Sequence, residues 1–132
     1  HQTEAIDTIV DLSLVDTFPS LKNCASVFDT AQKSDCFRKT IHFKIGKELE
    51  KYAFTIKDSI SETVFVNLRI SSKGNVFLEE VQSSEYCKTQ LPELDSLLLL
   101  SIQNLPTMYP AIKRGIPVTT RYRLPILIQL KE

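Results

Sequence analysis

The C-terminal stretch from Val118 to Leu130 constrains the fold more than any other part of the chain. Its even-numbered positions are apolar or aromatic except for Thr120, whereas Thr119, Arg121 and Arg123 stand at odd-numbered positions. Successive side chains of a β-strand point to opposite faces, so a period of two over this length predicts a long strand with one buried face.

Two prolines indicate where this strand lies in its sheet. Pro117 and Pro125 have no N–H group for a ladder of hydrogen bonds, and a strand that contains them belongs at a sheet edge. Between them, Val118–Leu124 keeps all its backbone donors and acceptors. We therefore expect this segment to be an edge that can pair with another chain.

Composition limits the classes of function. The chain has 132 residues, enough for one ordinary domain, and its 16 basic and 16 acidic side chains cancel. This balance gives no electrostatic reason to expect a nucleic acid or an anionic membrane as partner. No apolar run approaches the roughly 20 residues that span a bilayer. Because the chain begins with His1, we expect it to be a processed or truncated product.

The cysteines and histidines do not form a recognisable metal-binding or catalytic pattern. Cys24, Cys36 and Cys87 lack the close spacing of metal-ligand pairs, and the two histidines are His1 and His42. Cys24 and Cys36 either form a disulfide in an oxidising compartment or remain reduced, and Cys87 is expected to be a half-buried thiol. We expect no metal, no cofactor and no enzymatic activity.

The first half of the chain is predicted to hold an arm and a helix. Residues 1–33 are interpreted as an N-terminal extension or arm, and residues 34–132 as the domain. Ser34 or Asp35 can cap a helix that ends near Lys51, because apolar residues then recur every three or four positions. His42 lies off that apolar stripe and is predicted to be a surface histidine.

The second half is predicted to hold a hairpin, a second helix and the final strand. Strands at 64–70 and 76–83 are joined by a turn at 71–75, and a bulge near Glu79 or Glu80 explains a slip in the pattern. Those two carboxylates are expected on opposite faces. A leucine-rich helix follows Pro92, with Leu99 and Leu100 widening its apolar stripe, so we expect it to be covered on more than one side.

The order helix, strand, strand, helix, strand predicts an α+β fold, with a three-stranded antiparallel sheet packed on helices. From residue 64 to 130 the chain resembles the C-terminal domain of TonB proteins. The resemblance rests on Val66, Leu68, Ile70, Gly74, Asn75 and Val76, on Leu94 and Asp95, on Leu105, Pro106 and Pro110, and on Gly115, Pro117, Val118, Tyr122, Leu124, Pro125 and Ile126. Upstream, Phe18, Pro19, Cys24, Cys36 and Phe37 resemble the extended version of this domain in Bacteroidetes-type TonB-like proteins.

The resemblance implies a periplasmic domain that binds the TonB box of an outer-membrane TonB-dependent transporter by strand addition. It also implies coupling of inner-membrane proton-motive energy to nutrient uptake, through motor proteins, if a membrane anchor exists upstream. The alternative is a free-standing periplasmic interaction module of the same fold, with a homodimer as one possibility. The residues expected to bind the partner are Tyr109, Pro110, Val118, Thr119, Thr120, Arg121, Tyr122, Arg123 and Leu124.

Overall fold

The chain forms a mixed α+β structure. The computed structural model describes residues 9–131 apart from 25 and 28. Strands are β1 (Ile9–Val10), β2 (Ile60–Ile70), β3 (Val76–Gln82), β4 (Ala111–Lys113) and β5 (Ile116–Leu130). Helices are α1 (Thr30–Glu50), α2 (Glu85–Gln90) and α3 (Leu94–Gln103), with single 3₁₀ turns at Leu12–Leu14 and Lys22–Cys24. The α+β class is therefore confirmed.

The sheet has five strands, so the three-stranded description is not confirmed. The main order is β1-β5-β2-β3, and β4 also pairs with β5. β2 and β5 form the long antiparallel pair, from Ile60 opposite Leu130 to Ile70 opposite Thr120. β1 runs parallel to β5. Two- and three-residue strands such as β1 and β4 carry no readable alternation, which is why the sequence pattern omitted them.

One face of the sheet carries the core, as the alternation of β5 predicted. Leu124 and Ile128 are buried on that face together with alternate residues of β2, whereas Arg121 and Arg123 are exposed on the other. Helices α1 and α3 pack on the buried face through three residues each: Phe37, Ile41 and Ile45 from α1, and Leu94, Leu98 and Ile102 from α3. The opposite face of the sheet carries no helix in the described part of the chain.

The predicted hairpin turn is confirmed, and its glycine has a clear reason. Gly74 has a φ of +85°, a conformation that residues with a side chain rarely adopt. A Cβ at this position would lie 1.7 Å from the Met108 carbonyl oxygen. The Met108 N–H also donates to the Gly74 carbonyl at 2.9 Å. The turn therefore docks against the segment that leads into β4.

Helix α1 begins earlier than predicted. Its N-terminal cap is Asp29, whose carboxylate accepts a hydrogen bond from the Gln32 N–H at 3.0 Å. Ser34 and Asp35 lie inside the helix, so the prediction that one of them is the cap is wrong. Acidic and hydroxyl side chains at both places have the chemistry of a cap, and the pattern alone does not choose between them.

The arm predicted for residues 1–33 packs on the domain where it is described. Ile9–Val10 is a strand of the sheet, Leu21 and Cys24 are buried, and residues 1–8 lie outside the described residues. The leucine-rich helix is less covered than expected, because Leu99 and Leu100 are 42% and 47% exposed. No helix in the described part of the chain is long and apolar enough to cross a bilayer.

Candidate functional site

The predicted docking strand is anchored on one side along most of its length. Eleven residues of β5, from Thr120 to Leu130, lie opposite partners in β2. The edge opposite β2 is therefore the place where a further strand can be added. Its accessibility decides how much of the predicted segment Val118–Leu124 is free.

The chain itself occupies the first part of that segment. Val118 lies opposite Ala111 of β4, and Thr119 and Thr120 lie beside β1. Beyond Thr120, no strand of the described residues pairs with β5 on the side away from β2. The 3₁₀ turn Leu12–Leu14 contacts β5 without pairing with it. The edge without a partner strand, which we call the open edge, thus begins at Arg121, three residues later than the sequence suggested.

Pro125 divides the open edge into two stretches. It lies opposite Phe65 of β2, and its carbonyl oxygen is 2.5 Å from Nε2 of His42 on α1. Alternate residues of an antiparallel strand direct their backbone groups to the same edge. Arg123 and Leu127, two residues away in either direction, therefore share the outward orientation of Pro125. His42 is at the surface, as predicted, but its contact with the edge strand was not.

An apolar groove accompanies the second open stretch, Ile126–Leu130. It has a volume of about 400 Å³ and lies between this stretch and the C-terminal end of α1. Gly46 lines it, and a Cβ at Gly46 would meet nothing within 4 Å, so the wall is open at that point. Leu49 and Tyr52 also line the groove. The docking segment predicted from the sequence ended before Pro125 and therefore did not include this part of the edge.

The three polar side chains expected on the outward face of β5 differ in their exposure. Arg121 and Arg123 are exposed on the helix-free face, as expected. Thr119, which was expected to point outward with them, is 2% exposed, and its Oγ1 accepts a hydrogen bond from the Ser72 N–H at 3.1 Å. The hairpin turn covers this end of the face, and that covering depends on tertiary contacts.

Side chains of β2 and β3 hold the two arginines in place. The Arg121 Nε donates to Glu79 at 2.8 Å, and an Arg123 guanidinium nitrogen donates to Gln82 at 2.8 Å. The Arg123 guanidinium also lies 3.9 Å from the centre of the Phe65 ring. These contacts hold both guanidinium groups over β2 and toward β3, on the side of β5 away from its open edge.

The bulge predicted in β3 is confirmed, but its effect on the carboxylates was predicted wrongly. Asn67 pairs with Glu80 and Leu68 pairs with Leu78, which leaves Glu79 as the extra residue. Glu79 binds Arg121, and Glu80 accepts a hydrogen bond from the Asn67 amide at 2.9 Å. Both carboxylates thus reach the helix-free face, because a bulge breaks the alternation of side chains.

The remaining predicted partner-binding residues have structural roles. Leu124 is fully buried, and the half-buried Tyr122 packs edge-on against Phe37 with ring centres 5.1 Å apart. Burial raises the pKa of the Tyr122 hydroxyl above its usual value. Tyr109 exchanges two backbone hydrogen bonds with Ser20 of the arm, at 2.8 and 3.0 Å. Its ring is 54% exposed and remains available to a partner.

The disulfide left open by the sequence is present, between Cys24 and Cys36. Cys87 is free and fully buried rather than half-buried, and burial raises its pKa to about 11. A thiol with that pKa stays protonated and is a poor nucleophile at neutral pH. Within the described residues, no group of three or more His, Cys, Asp or Glu side chains is arranged to hold a metal ion.

Comparison with known proteins identifies no relative. No protein-family model, no curated protein and no solved structure matches this chain.

Proposed function

We propose that this chain is a non-catalytic binding domain that accepts an extended peptide at the open edge of β5. The observation that carries the proposal is the edge itself. β5 is paired with β2 from Thr120 to Leu130, yet its other side has no partner strand beyond Thr120 in the described residues. Backbone hydrogen bonds at such an edge supply affinity for a guest strand whatever its side chains are.

The side chains around the edge supply selectivity. Arg121 and Arg123 belong to the first open stretch, and a guest with acidic side chains on the helix-free face would compete with Glu79 and Gln82 for their guanidinium groups. The apolar groove beside Ile126–Leu130 accepts an apolar side chain from the other face of a guest. A short guest is therefore expected to carry acidic side chains if it binds the first stretch and an apolar side chain if it binds the second.

We propose that the guest is the TonB box of an outer-membrane TonB-dependent transporter. The support is the sequence resemblance described above together with the open edge of the final strand. The disulfide is compatible with an oxidising compartment, which supports the periplasmic location that the resemblance implies. Coupling to inner-membrane motor proteins belongs to the same proposal and requires a membrane anchor upstream.

A second candidate is a periplasmic interaction module without energy transduction. It uses the same edge to bind another strand or a second copy of the chain. The exposed side chains of Leu99 and Leu100 on α3 favour a contact with another protein surface. Sedimentation across a range of protein concentrations distinguishes a homodimer from a monomer that binds transporter peptides.

The test uses proline, which has no backbone N–H to donate. Proline at position 123 or 127 removes an N–H that faces the open edge, as native Pro125 does, without removing a hydrogen bond to β2. Proline at Thr120 is unsuitable, because this residue is buried between β1 and β2 and its replacement would disturb folding. We therefore choose Arg123→Pro and Leu127→Pro, with Arg123→Ala and Leu127→Ala as matched controls that keep the N–H.

Binding of TonB-box peptides is measured by calorimetry, and folding is checked by thermal denaturation. We expect one proline variant to bind about fivefold more weakly than its alanine control, the loss expected from one hydrogen bond of roughly 1 kcal/mol. The position of that variant identifies the stretch in use. If both proline variants bind as tightly as the wild type, or if no TonB-box peptide binds, the proposal is wrong.

A further inference from the structure

A second groove lies on the flank of α1 that faces away from β5. One depression, of about 590 Å³, lies between α1, the 3₁₀ turn Lys22–Cys24 and the Pro106–Thr107 segment. A second, of about 220 Å³, continues between α1 and the C-terminal end of α3. Phe43, Lys44 and Pro106 line both, so they form one elongated depression, which we call the basic groove.

One stripe of α1 forms the floor of the basic groove. Thr40, Phe43, Lys44 and Lys47 are spaced three, four and seven residues apart, so they lie on the same side of the helix. Phe43 is 64% exposed, and the Lys47 ammonium group lies 5.6 Å from the centre of its ring. His42, one residue earlier, points to the β5 edge instead. The basic groove and the β5 edge are therefore separate surfaces.

The groove is positively charged. Lys22, Lys39, Lys44 and Lys47 line it. Lys39 pairs with Asp35 at 2.9 Å and Lys47 pairs with Glu50 at 3.7 Å. Lys22 and Lys44 have no carboxylate within ion-pair distance among the described residues, so they carry the uncompensated positive charge of the groove. The single carboxylate among the lining residues is that of Glu48, and it is already neutralised.

Two side chains bind the Glu48 carboxylate. The Lys51 ammonium group lies 2.6 Å from one oxygen, and the Asn104 amide donates to the other at 3.1 Å. These partners lower the pKa of Glu48, first through the hydrogen bond from Lys51. The carboxylate therefore has little capacity left to pair with the lysines of the groove.

The wall of the groove is held in place by covalent and polar contacts. The disulfide between Cys24 and Cys36 joins the 3₁₀ turn to α1. The Asn23 amide also donates to Thr40 Oγ1 at 3.1 Å. A surface that is fixed before binding loses less conformational entropy when a ligand arrives.

We propose that the basic groove binds an acidic peptide segment that carries one large apolar side chain. The lysines supply charge complementarity, and Phe43 supplies an apolar contact that a simple polyanion would not use. The elongated shape fits an extended segment better than a compact ion. The 16 basic and 16 acidic side chains of the whole chain cancel, which gives no electrostatic reason to expect a nucleic acid in this groove.

The probe is a blocked peptide in which one tryptophan is flanked on both sides by glutamates. The chain contains no tryptophan, so the emission reports on the peptide alone. We expect a saturable blue shift with a dissociation constant of about 0.1 mM or lower, weakening as salt is raised. The same peptide with glutamine in place of glutamate should bind about tenfold more weakly.

Two pairs of variants locate the contact. Phe43→Ala and Lys44→Glu should each weaken binding about tenfold, whereas Phe77→Ala and Lys57→Glu, which alter exposed residues elsewhere, should not. Arg123→Pro and Leu127→Pro should also bind the probe normally, which separates this result from the strand-addition proposal. All six positions are exposed except Lys44, which is half-exposed, and amide NMR spectra confirm folding.

Three results would overturn the proposal. The first is the absence of a saturable change up to about 1 mM peptide. The second is equal binding of the glutamate and glutamine peptides. The third is normal binding by Phe43→Ala with loss in Lys44→Glu, since that outcome indicates a plain polyanion site rather than a peptide site with an apolar anchor.

Discussion

Two adjacent threonines in β5 predict opposite changes in stability when each is replaced by valine. Thr120 is fully buried, and its Oγ1 has no hydrogen-bond partner among the described residues. Thr119 is 2% exposed, and its Oγ1 accepts a hydrogen bond from the Ser72 N–H. Valine has nearly the same shape and the same preference for strands at both positions. The comparison therefore isolates the two hydroxyl groups.

The magnitudes follow from the cost of an unpaired buried polar group, about 1–3 kcal/mol. Thr120→Val removes such a group, and we expect the free energy of unfolding to rise by about 1–2 kcal/mol. Thr119→Val leaves the Ser72 N–H without this acceptor, and we expect a loss of about 1 kcal/mol. At about 2–4 °C per kcal/mol for a domain near this size, the two melting temperatures should differ by roughly 4–12 °C.

Urea denaturation with the disulfide intact measures both variants. A change in midpoint at constant slope is needed, because a changed slope reports on the unfolded ensemble. If Thr120→Val loses as much stability as Thr119→Val, the Thr120 hydroxyl has a partner and the reasoning is refuted. If Thr119→Val is neutral, the bond to Ser72 contributes nothing measurable.

Three further predictions concern the cysteines and the charged face. Replacing Cys24 and Cys36 together by serine should lower the free energy of unfolding by about 3 kcal/mol, because the disulfide joins residues 12 apart and restricts the unfolded chain. An unchanged urea midpoint would contradict this argument. Burial raises the pKa of Cys87 to about 11, so its thiol ionises at a lower pH in the unfolded chain than in the folded one. The stability that this thiol contributes should be full below about pH 9 and fall between pH 9 and 11, and a Cys87→Ala variant should lack this part of the pH dependence. Glu79→Gln should lower the free energy of unfolding by about 0.2–1 kcal/mol at low salt, because Arg69 and Arg121 lie directly opposite each other and would lose the carboxylate that they share. The loss should shrink in high salt.

The long elements of the fold were predictable because each has many repeats of its own period. The alternation of β5 gave its buried face, and the three- and four-residue spacing around Phe37, Ile41 and Ile45 gave the buried stripe of α1. Gly74 marked the hairpin turn. In each case the pattern is a direct result of side-chain geometry along a helix or strand.

The parts that the sequence did not predict depend on contacts between distant segments. β1 and β4 are too short to show a period, and they exist because backbone groups of β5 are there to pair with them. Thr119 has the parity of an exposed residue but is covered by the hairpin turn. The contact between His42 and the Pro125 carbonyl joins residues 83 positions apart. No local pattern records such contacts.

The prolines of β5 indicate less than the sequence argument assumed, and this affects how a guest strand can bind. Proline in a strand shows that one edge lacks a donor at that residue, but it does not show that the edge is open. Pro117 lies opposite Ile112 of β4, in a stretch that the chain itself pairs. Pro125 lies in the open edge, where it offers no N–H and its carbonyl already contacts His42.

A guest strand that crosses Pro125 would therefore lose two consecutive hydrogen bonds, each worth about 1 kcal/mol net. A short guest on one side of Pro125 loses neither. The Arg121–Leu124 stretch carries two arginines that an acidic guest would have to draw from Glu79 and Gln82, and the Ile126–Leu130 stretch is lined by an apolar groove, so the two sides favour guests of different composition. The proline variants at positions 123 and 127 should consequently affect different peptides, and a single peptide weakened equally by both would show that the guest crosses Pro125 after all.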